Sequence, residues 1–492
     1  MPEHCVITSP NTASNTGTPR RIPETNSEIK QKAPSEKAFQ RSLAQHSINK
    51  CRHRWEQIHR RAGKPIMGSS MESIVSAAQG TLTLSPSSSP PDPPASLTGS
   101  FPAADAAGIT WPWAAQRDPI LVLGAGLMGR LLAASLVEVG HPVRIVEAAP
   151  AAAVESSAAH FAAAMLAPLA ESAIAEASVV AQGYYALSRW PSLLASLPQP
   201  VFFQQEGTLI LWHRQDAGEA KRFSALLAAV GEHLPHLPRP QPLDAQAIAE
   251  LEPSVAGRFA QGLYLPQEGQ LDNRQLLSAL LAKLRQHEVE VEWGCPWDLK
   301  QAQAWQQQTG GWVLDCRGLG AQKEWGGPRL LRGVRGEVVR LYAPEVSLRR
   351  PTRLLHPRYP IYIAPKPGQV FVVGATEIES EDRSPVSVRS ALELLSAAYA
   401  VHPAFAEARI LELGSQCRPT LADNLPAVVE RSPRLLQING LYRHGFLISP
   451  AIHDAVLEYL HQGSCRLAQQ LGIPFQVQAA PLSGESLSPC VS

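Results

Sequence analysis

Residues 119–123 are an unbroken apolar run ending at Gly124, the pattern of a short strand covered on both faces. A helical segment follows from 127 to about 139. Gly140 can end it, His141-Pro142 turn the chain, and 143–146 read as a second strand whose last neighbour is Glu147. Later, 201–203 and 207–211 read as paired strands, and Asp272 or Asn273 caps an amphipathic helix through about 287. Residues 289–293 form a strand, and 312–315 a buried strand running into a glycine turn at Gly318. Strands at 336–342, 361–364 and 370–374 follow one another through Pro-rich turns without helical crossovers, which predicts an antiparallel sheet. A helix from about 388 to 400 comes next, and the chain is expected to return to the first sheet through 410–413.

The first of these units carries chemistry. Gly124 permits a tight turn, Gly126 lets backbone approach a pyrophosphate, and Gly129 lets the following helix pack on the sheet. The helix N-terminus faces the phosphates, and Glu147 can bond ribose hydroxyls while disfavouring a 2′-phosphate. Strand, glycines, helix, strand and terminal acid in this order predict an adenine dinucleotide site. The small-residue run 158–168 is an alanine-rich helix by composition. Following a dinucleotide unit, it also suits backbone amides lying close to a flat cofactor ring.

With 492 residues, 45% of them hydrophobic and 18% charged, the chain can divide into at least two domains. A net charge of +1 advertises no nucleic-acid partner. The seven cysteines are dispersed, without CxxC or Cys/His spacing, which predicts reduced thiols and no zinc; His356, His402 and His453 read as turn or helix-surface residues rather than metal ligands. No apolar run is long enough to span a bilayer and no secretory pattern opens the chain, so a cytoplasmic protein is expected. Residues 1–110 hold 12 Lys+Arg against 8 Asp+Glu, and 84–94 are rich in Ser and Pro. They read as a disordered extension, with Met67 and Met71 as alternative starts and a transit peptide or nucleic-acid arm as the other readings.

Beyond the glycine unit, the run ending Ala164-Met165-Leu166-Ala167-Pro168, then Tyr362-Ile363-Ala364-Pro365, Val373-Gly374-Ala375-Thr376, Cys417-Arg418-Pro419 and Leu441-Tyr442-Arg443-His444-Gly445-Phe446-Leu447 occur in a fixed order. Over about 118–462 the chain resembles the FAD-dependent glycine oxidases of thiamine biosynthesis, which have the D-amino-acid-oxidase fold. The resemblance implies an α/β protein with a discontinuous Rossmann-like FAD-binding domain (118–195, 271–330, 409–472) and an antiparallel-sheet α+β substrate domain (196–270, 331–408), flanked by the extension 1–117 and a flexible tail 473–492. It implies FAD contacts from Leu127, Met128, Glu147, Ala163, Ala164 and Met165 and from the segment Leu441, Tyr442, Arg443, His444, Gly445, Phe446 and Leu447; Gly318 is a further candidate from its strand-end turn. Arg418 matches the arginine that binds the substrate carboxylate, Arg443 a second substrate-side arginine, and Tyr362 a wall of the site. The chain departs from the family pattern at His444, Ala164 and Pro360, where asparagine, glycine and histidine respectively occur.

These residue types suit the chemistry. Guanidinium is the planar two-pronged donor that matches a carboxylate, so Arg418 can fix an α-amino acid with its Cα–H above the flavin. Hydride transfer from a neutral amine then requires no protein base. The expected reaction is oxidation of glycine, with sarcosine or small D-amino acids as further substrates and oxygen reduced to hydrogen peroxide. Two alternatives stay open: oxidation of a larger D-amino acid or a modified-tRNA amine, and a non-catalytic flavin-fold binding protein. Homo-oligomer formation is left open, and no membrane partner is expected.

Overall fold

The computed structural model describes residues 117–151, 156–233, 237–327, 329–355 and 361–477. The expected N-terminal extension, His356 and Pro360 lie outside the described residues, as does all but the start of the expected C-terminal tail. In chain order the strands are β1 (Ile120–Leu123), β2 (Val143–Glu147), β3 (Met165–Leu166), β4 (Phe203–Gln204), β5 (Thr208–Leu211), β6 (Gln241–Asp244), β7 (Gln261–Leu265), β8 (Gly269–Leu271) and β9 (Val291–Trp293). They continue with β10 (Trp312–Asp315), β11 (Leu331–Tyr342), β12 (Thr352–Leu354), β13 (Ile361–Lys366), β14 (Val370–Gly374), β15 (Arg409–Leu421), β16 (Ala427–Ser432), β17 (Leu435–Asn439) and β18 (Phe475–Gln476).

Seven strands form a mostly parallel sheet in the order β18-β16-β17-β10-β1-β2-β9. Its inner strand β1 is wholly buried, as an apolar run without alternation requires, and pairs in parallel with β2 and β10. The helices Leu127–Glu138, Asn273–Gln286 and Gly445–Gln462 cover it. Asp272 caps the second, its carboxylate accepting from the amides of Arg274 and Gln275. An eight-stranded sheet, β15-β11-β14-β13-β12-β5-β7-β6, forms the second layer, and its core includes Val339, Ile363, Phe371 and Leu394 from the helix Val388–Val401. A small sheet, β3-β8-β4, is antiparallel throughout.

Several expectations are corrected. Residues 410–413 do not return to the parallel sheet; they lie at the start of β15, which runs antiparallel to β11 from Arg409 to Leu421. Ile410, Leu411 and Leu413 are half exposed on the edge strand, so their apolar run signals an open sheet edge rather than a buried parallel strand. The second sheet is antiparallel except for one parallel pair, β5 with β12. The strands at 203 and 208 are not partners: β4 pairs with β8 while β5 pairs with β7 and β12, the chain changing sheets at Gly207, whose φ is +78°. At the other end β18 pairs with β16, extending the parallel sheet past residue 472 into the segment expected to be a flexible tail. His453 is not a surface residue but is 1% exposed, bonded through its two ring nitrogens to Asp454 and Ser135. His402 does sit at a turn, accepting from the Ala404 amide. Among the described residues no helix is long and apolar enough to cross a membrane, and no His/Cys/Asp/Glu cluster suits a metal.

Candidate active site

The glycine loop leaves β1 at Gly124, whose φ of +93° is open to glycine and costly for other residues. A Cβ on Gly129 would lie 1.9 Å from the Gly124 carbonyl oxygen, so the helix approaches the strand only because that side chain is missing. Gly126 differs: a Cβ there would meet nothing within 4 Å, and the residue borders a cavity of about 900 Å³. The space beside this loop and the start of the helix Leu127–Glu138 fits the phosphates of a dinucleotide. Glu147 accepts from the Ala125 amide at 2.7 Å and the Ala149 amide at 2.9 Å, which fixes the carboxylate at the end of β2 with acceptor capacity to spare for hydroxyl groups. Arg130, which the sequence pattern does not single out, is buried under the loop and donates to the Ala125 and Leu277 carbonyls. Burial pulls its pKa down to about 10, against the opposing attraction of Glu147.

The small-residue run is helical only over Ala158–Phe161; Ala162 is extended and Ala164, at a φ of +50°, leads into β3, with Ala163 and Ala164 buried at the cavity wall. This segment is tied from beneath by Lys366 of β13. Its Nζ donates to the carbonyls of Ala163 and Leu271, each at 2.7 Å, and to Gln270 Oε1 at 3.2 Å. All three ammonium protons are thus used, and desolvation lowers the pKa to about 7.

At the other sheet, Arg418 of β15 projects over Gly336 of β11. A Cβ at residue 336 would lie 2.3 Å from Arg418 Nη2, so this glycine is the seat of the guanidinium. Arg418 donates to the Thr376 carbonyl at 3.1 Å and more weakly to the Arg335 carbonyl at 3.4 Å. Among the described residues it has no carboxylate partner, and desolvation lowers its pKa despite the opposing effect of Tyr362. Tyr362 of β13 borders the same space, with burial raising its phenol pKa. Arg443 is also at the cavity, but its charge is engaged: Nε lies 3.0 Å from Glu171 and Nη1 2.7 Å from Glu377. Burial by itself would raise the Glu171 pKa; Arg443, Arg353 and His444 instead bring it down to about 2. His444 begins the helix Gly445–Gln462, and desolvation takes its pKa down to about 4, leaving a neutral imidazole at neutral pH.

The helix start is itself braced. Pro450 has no N–H for the Phe446 carbonyl four residues back, and the Trp190 indole supplies the missing donor at 3.1 Å. The cavity wall therefore gathers Gly124, Gly126, Leu127, Met128, Glu147, Ala163, Ala164, Met165, Gly318, Tyr362, Arg418 and the segment Leu441–Leu447. Of the expected residues only Gly129 stands back from it, packed against Gly124. The sequence reading missed Glu171, Glu377, Lys366, Arg353 and Gly336. Only Gly336 left a local signal, a glycine inside a strand, which commonly marks close approach of another group.

Residues 119–458 match the family model described as FAD dependent oxidoreductase, DAO. The chain is 42% identical over 341 residues to a Rhizobium etli protein provisionally named thiamine biosynthesis oxidoreductase ThiO, covering 69% of this chain and 96% of that one. It is 25% identical over 359 residues to a glycine oxidase of Geobacillus kaustophilus, covering 68% and 90% respectively. The crystal structure of iminodiacetate oxidase from Chelativorans sp. BNC1 shares the fold, with a TM-score of 0.59 at 18% identity over 72% of this chain and 99% of that one.

Proposed function

The chain belongs to the FAD-dependent oxidoreductases of the DAO family, and from that premise we propose that it oxidises glycine, and secondarily sarcosine or small D-amino acids, with oxygen as electron acceptor. The observation that carries this reading is Arg418: a half-buried guanidinium without a carboxylate partner among the described residues, seated on Gly336 in the cavity that also holds the glycine loop. A cation at a cavity wall with only carbonyl partners is suited to an anionic ligand, and its fork matches a carboxylate. The names of the relatives support glycine as substrate and thiamine biosynthesis as the setting.

In this reading Gly124, Gly126, Leu127 and Met128 hold the phosphates, Glu147 the ribose, and Ala163, Ala164, Met165 and the segment from Leu441 to Leu447 surround the ring system. When bound, FAD supplies the two-electron acceptor, which oxygen re-oxidises to give hydrogen peroxide. Arg418 grips the substrate carboxylate and Tyr362 closes the wall beside it, so the Cα–H bond is held in one orientation. With FAD bound as acceptor, the neutral-amine form of the substrate would give up its Cα hydride to the flavin and become an iminium, which water hydrolyses to the oxo acid and ammonia. Neutral His444 adds no second cation that would compete with Arg418 for the carboxylate.

The test is anaerobic addition of glycine to the flavin-loaded protein. The flavin absorbance band should bleach, and admission of oxygen should restore it with one peroxide per turnover. No bleaching with glycine, sarcosine or D-alanine would refute the proposal, and bleaching only with larger D-amino acids would redirect it to that class.

A further inference from the structure

The charges at the substrate end are unevenly matched. Arg443 is shared between Glu171 and Glu377, and Arg353 lies 3.4 Å from Glu171. Three guanidinium groups therefore face two carboxylates, and Arg418 is the one that makes no carboxylate contact among the described residues. Glu171 has a side chain 16% exposed and is held ionised by its arginines. Glu377 is placed differently: its side chain is 44% exposed, it borders the cavity, and its second oxygen accepts from the Tyr442 hydroxyl at 2.6 Å.

We propose that Glu377 is a specificity-determining residue, which restricts this pocket to amino acids with one carboxylate and rejects amino dicarboxylates such as iminodiacetate and aspartate. The inference rests on Arg418 as the carboxylate anchor. A first carboxylate takes the free guanidinium. A second that turns to Arg443 must displace Glu377 from both Arg443 and Tyr442 and then remain beside a like charge. Glycine carries no group that reaches this point. Glu377→Gln retains the shape and an acceptor for Tyr442 but removes the negative charge, leaving Arg443 paired with Glu171 alone and its Nη1 side open to a second carboxylate. Glu377→Ala removes the acceptor as well.

Acetate and malonate, which need no turnover, would be titrated into the flavin-loaded wild type, Glu377→Gln, Glu377→Ala and Arg418→Ala, with the flavin absorbance change as the readout. The wild type should bind acetate more tightly than malonate. Both Glu377 variants should raise the ratio of malonate to acetate affinity by about tenfold or more, and the ratio of kcat/KM for iminodiacetate over glycine should rise with it. An unchanged ratio in both flavin-loaded Glu377 variants, with acetate binding abolished in Arg418→Ala, would overturn the role of Glu377 and leave the anchor standing. Acetate binding that survives in Arg418→Ala would overturn the anchor, and the inference about Glu377 with it.

Discussion

Arg418 is half-buried at the cavity wall and Glu268 is wholly buried, and their surroundings give these two ionisable side chains opposite consequences. Arg418 has only carbonyl partners among the described residues, so hydrogen-bonding capacity remains on its guanidinium, which in the proposed reading serves the substrate carboxylate. Arg418→Lys keeps the charge and loses the fork, while Arg418→Ala loses both. The glycine KM should rise in each, more in the alanine variant, with roughly 1.5–3 kcal/mol of a charged hydrogen bond setting a scale of about ten- to a hundredfold. Flavin content should stay normal; unchanged kinetics in both variants would make Arg418 a structural arginine. Glu268 is wholly buried, accepting from the Ala170 amide at 2.8 Å. Desolvation raises its pKa from 4.5 to about 7, against the pull of Thr208, Ala170 and Arg353. A carboxyl whose pKa is raised by folding favours the folded state fully below its unfolded value, and that contribution is lost as pH rises through the folded value. Between pH 4.5 and 7 the loss is on the order of 3 kcal/mol. Glu268→Gln should therefore gain thermal stability relative to wild type as pH increases across that window. A stability difference independent of pH would show that Glu268 does not titrate there.

The helix Gly445–Gln462 brings its first turn to the cavity although Pro450 breaks its hydrogen-bond ladder. Trp190, fully buried on the helix Ala177–Ala195, closes that gap by bonding the Phe446 carbonyl. A second brace lies further along, where Asp454 accepts from Tyr185 and Arg189 of the same partner helix. Trp190→Phe keeps an aromatic ring but leaves the carbonyl without its donor, at a cost of about 1–3 kcal/mol. Because the unsupported turn carries His444 to Leu447, flavin affinity should fall along with the melting temperature. Lost stability with flavin affinity intact would show that the brace serves packing alone.

The family match spans residues 119–458, and the site draws on both large sheets. FAD bound in a cavity that exists only in the folded chain stabilises that chain by mass action, by roughly 2.7 kcal/mol at a hundredfold excess over Kd. Adding FAD to apoprotein should therefore raise the melting temperature in a concentration-dependent way, and denaturation of the holoprotein should release all the flavin. Flavin remaining on the precipitated chain would instead indicate covalent attachment, with His160, beside the small-residue run, the first candidate. A chain beginning near Trp111 keeps the whole matched region and should keep both flavin and activity. Loss of either would assign the preceding residues a part in the folded enzyme.

The glycine clamp was legible in the sequence because its parts are contiguous: a buried strand, three glycines with separate steric duties, a helix and an acid, all within Ile120–Glu147. The capped helix at Asp272 was readable for the same reason, since cap and helix are neighbours in the chain. The motif resemblance supplied Arg418, Arg443 and Tyr362 as candidates but not their partners. That Glu171 and Glu377 engage Arg443 while Arg418 remains open depends on a short helix, a loop and three strands meeting in space. The assignment of 410–413 failed because an apolar run looks alike whether it is buried in a parallel sheet or half exposed on an edge, and strand pairing decides between them. Local sterics and turn chemistry fix the dinucleotide unit from the sequence itself. Which buried charges are neutralised, and which one is left for a ligand, is settled by long-range packing, because Coulomb energy and desolvation depend on distance through the folded protein and not along the chain.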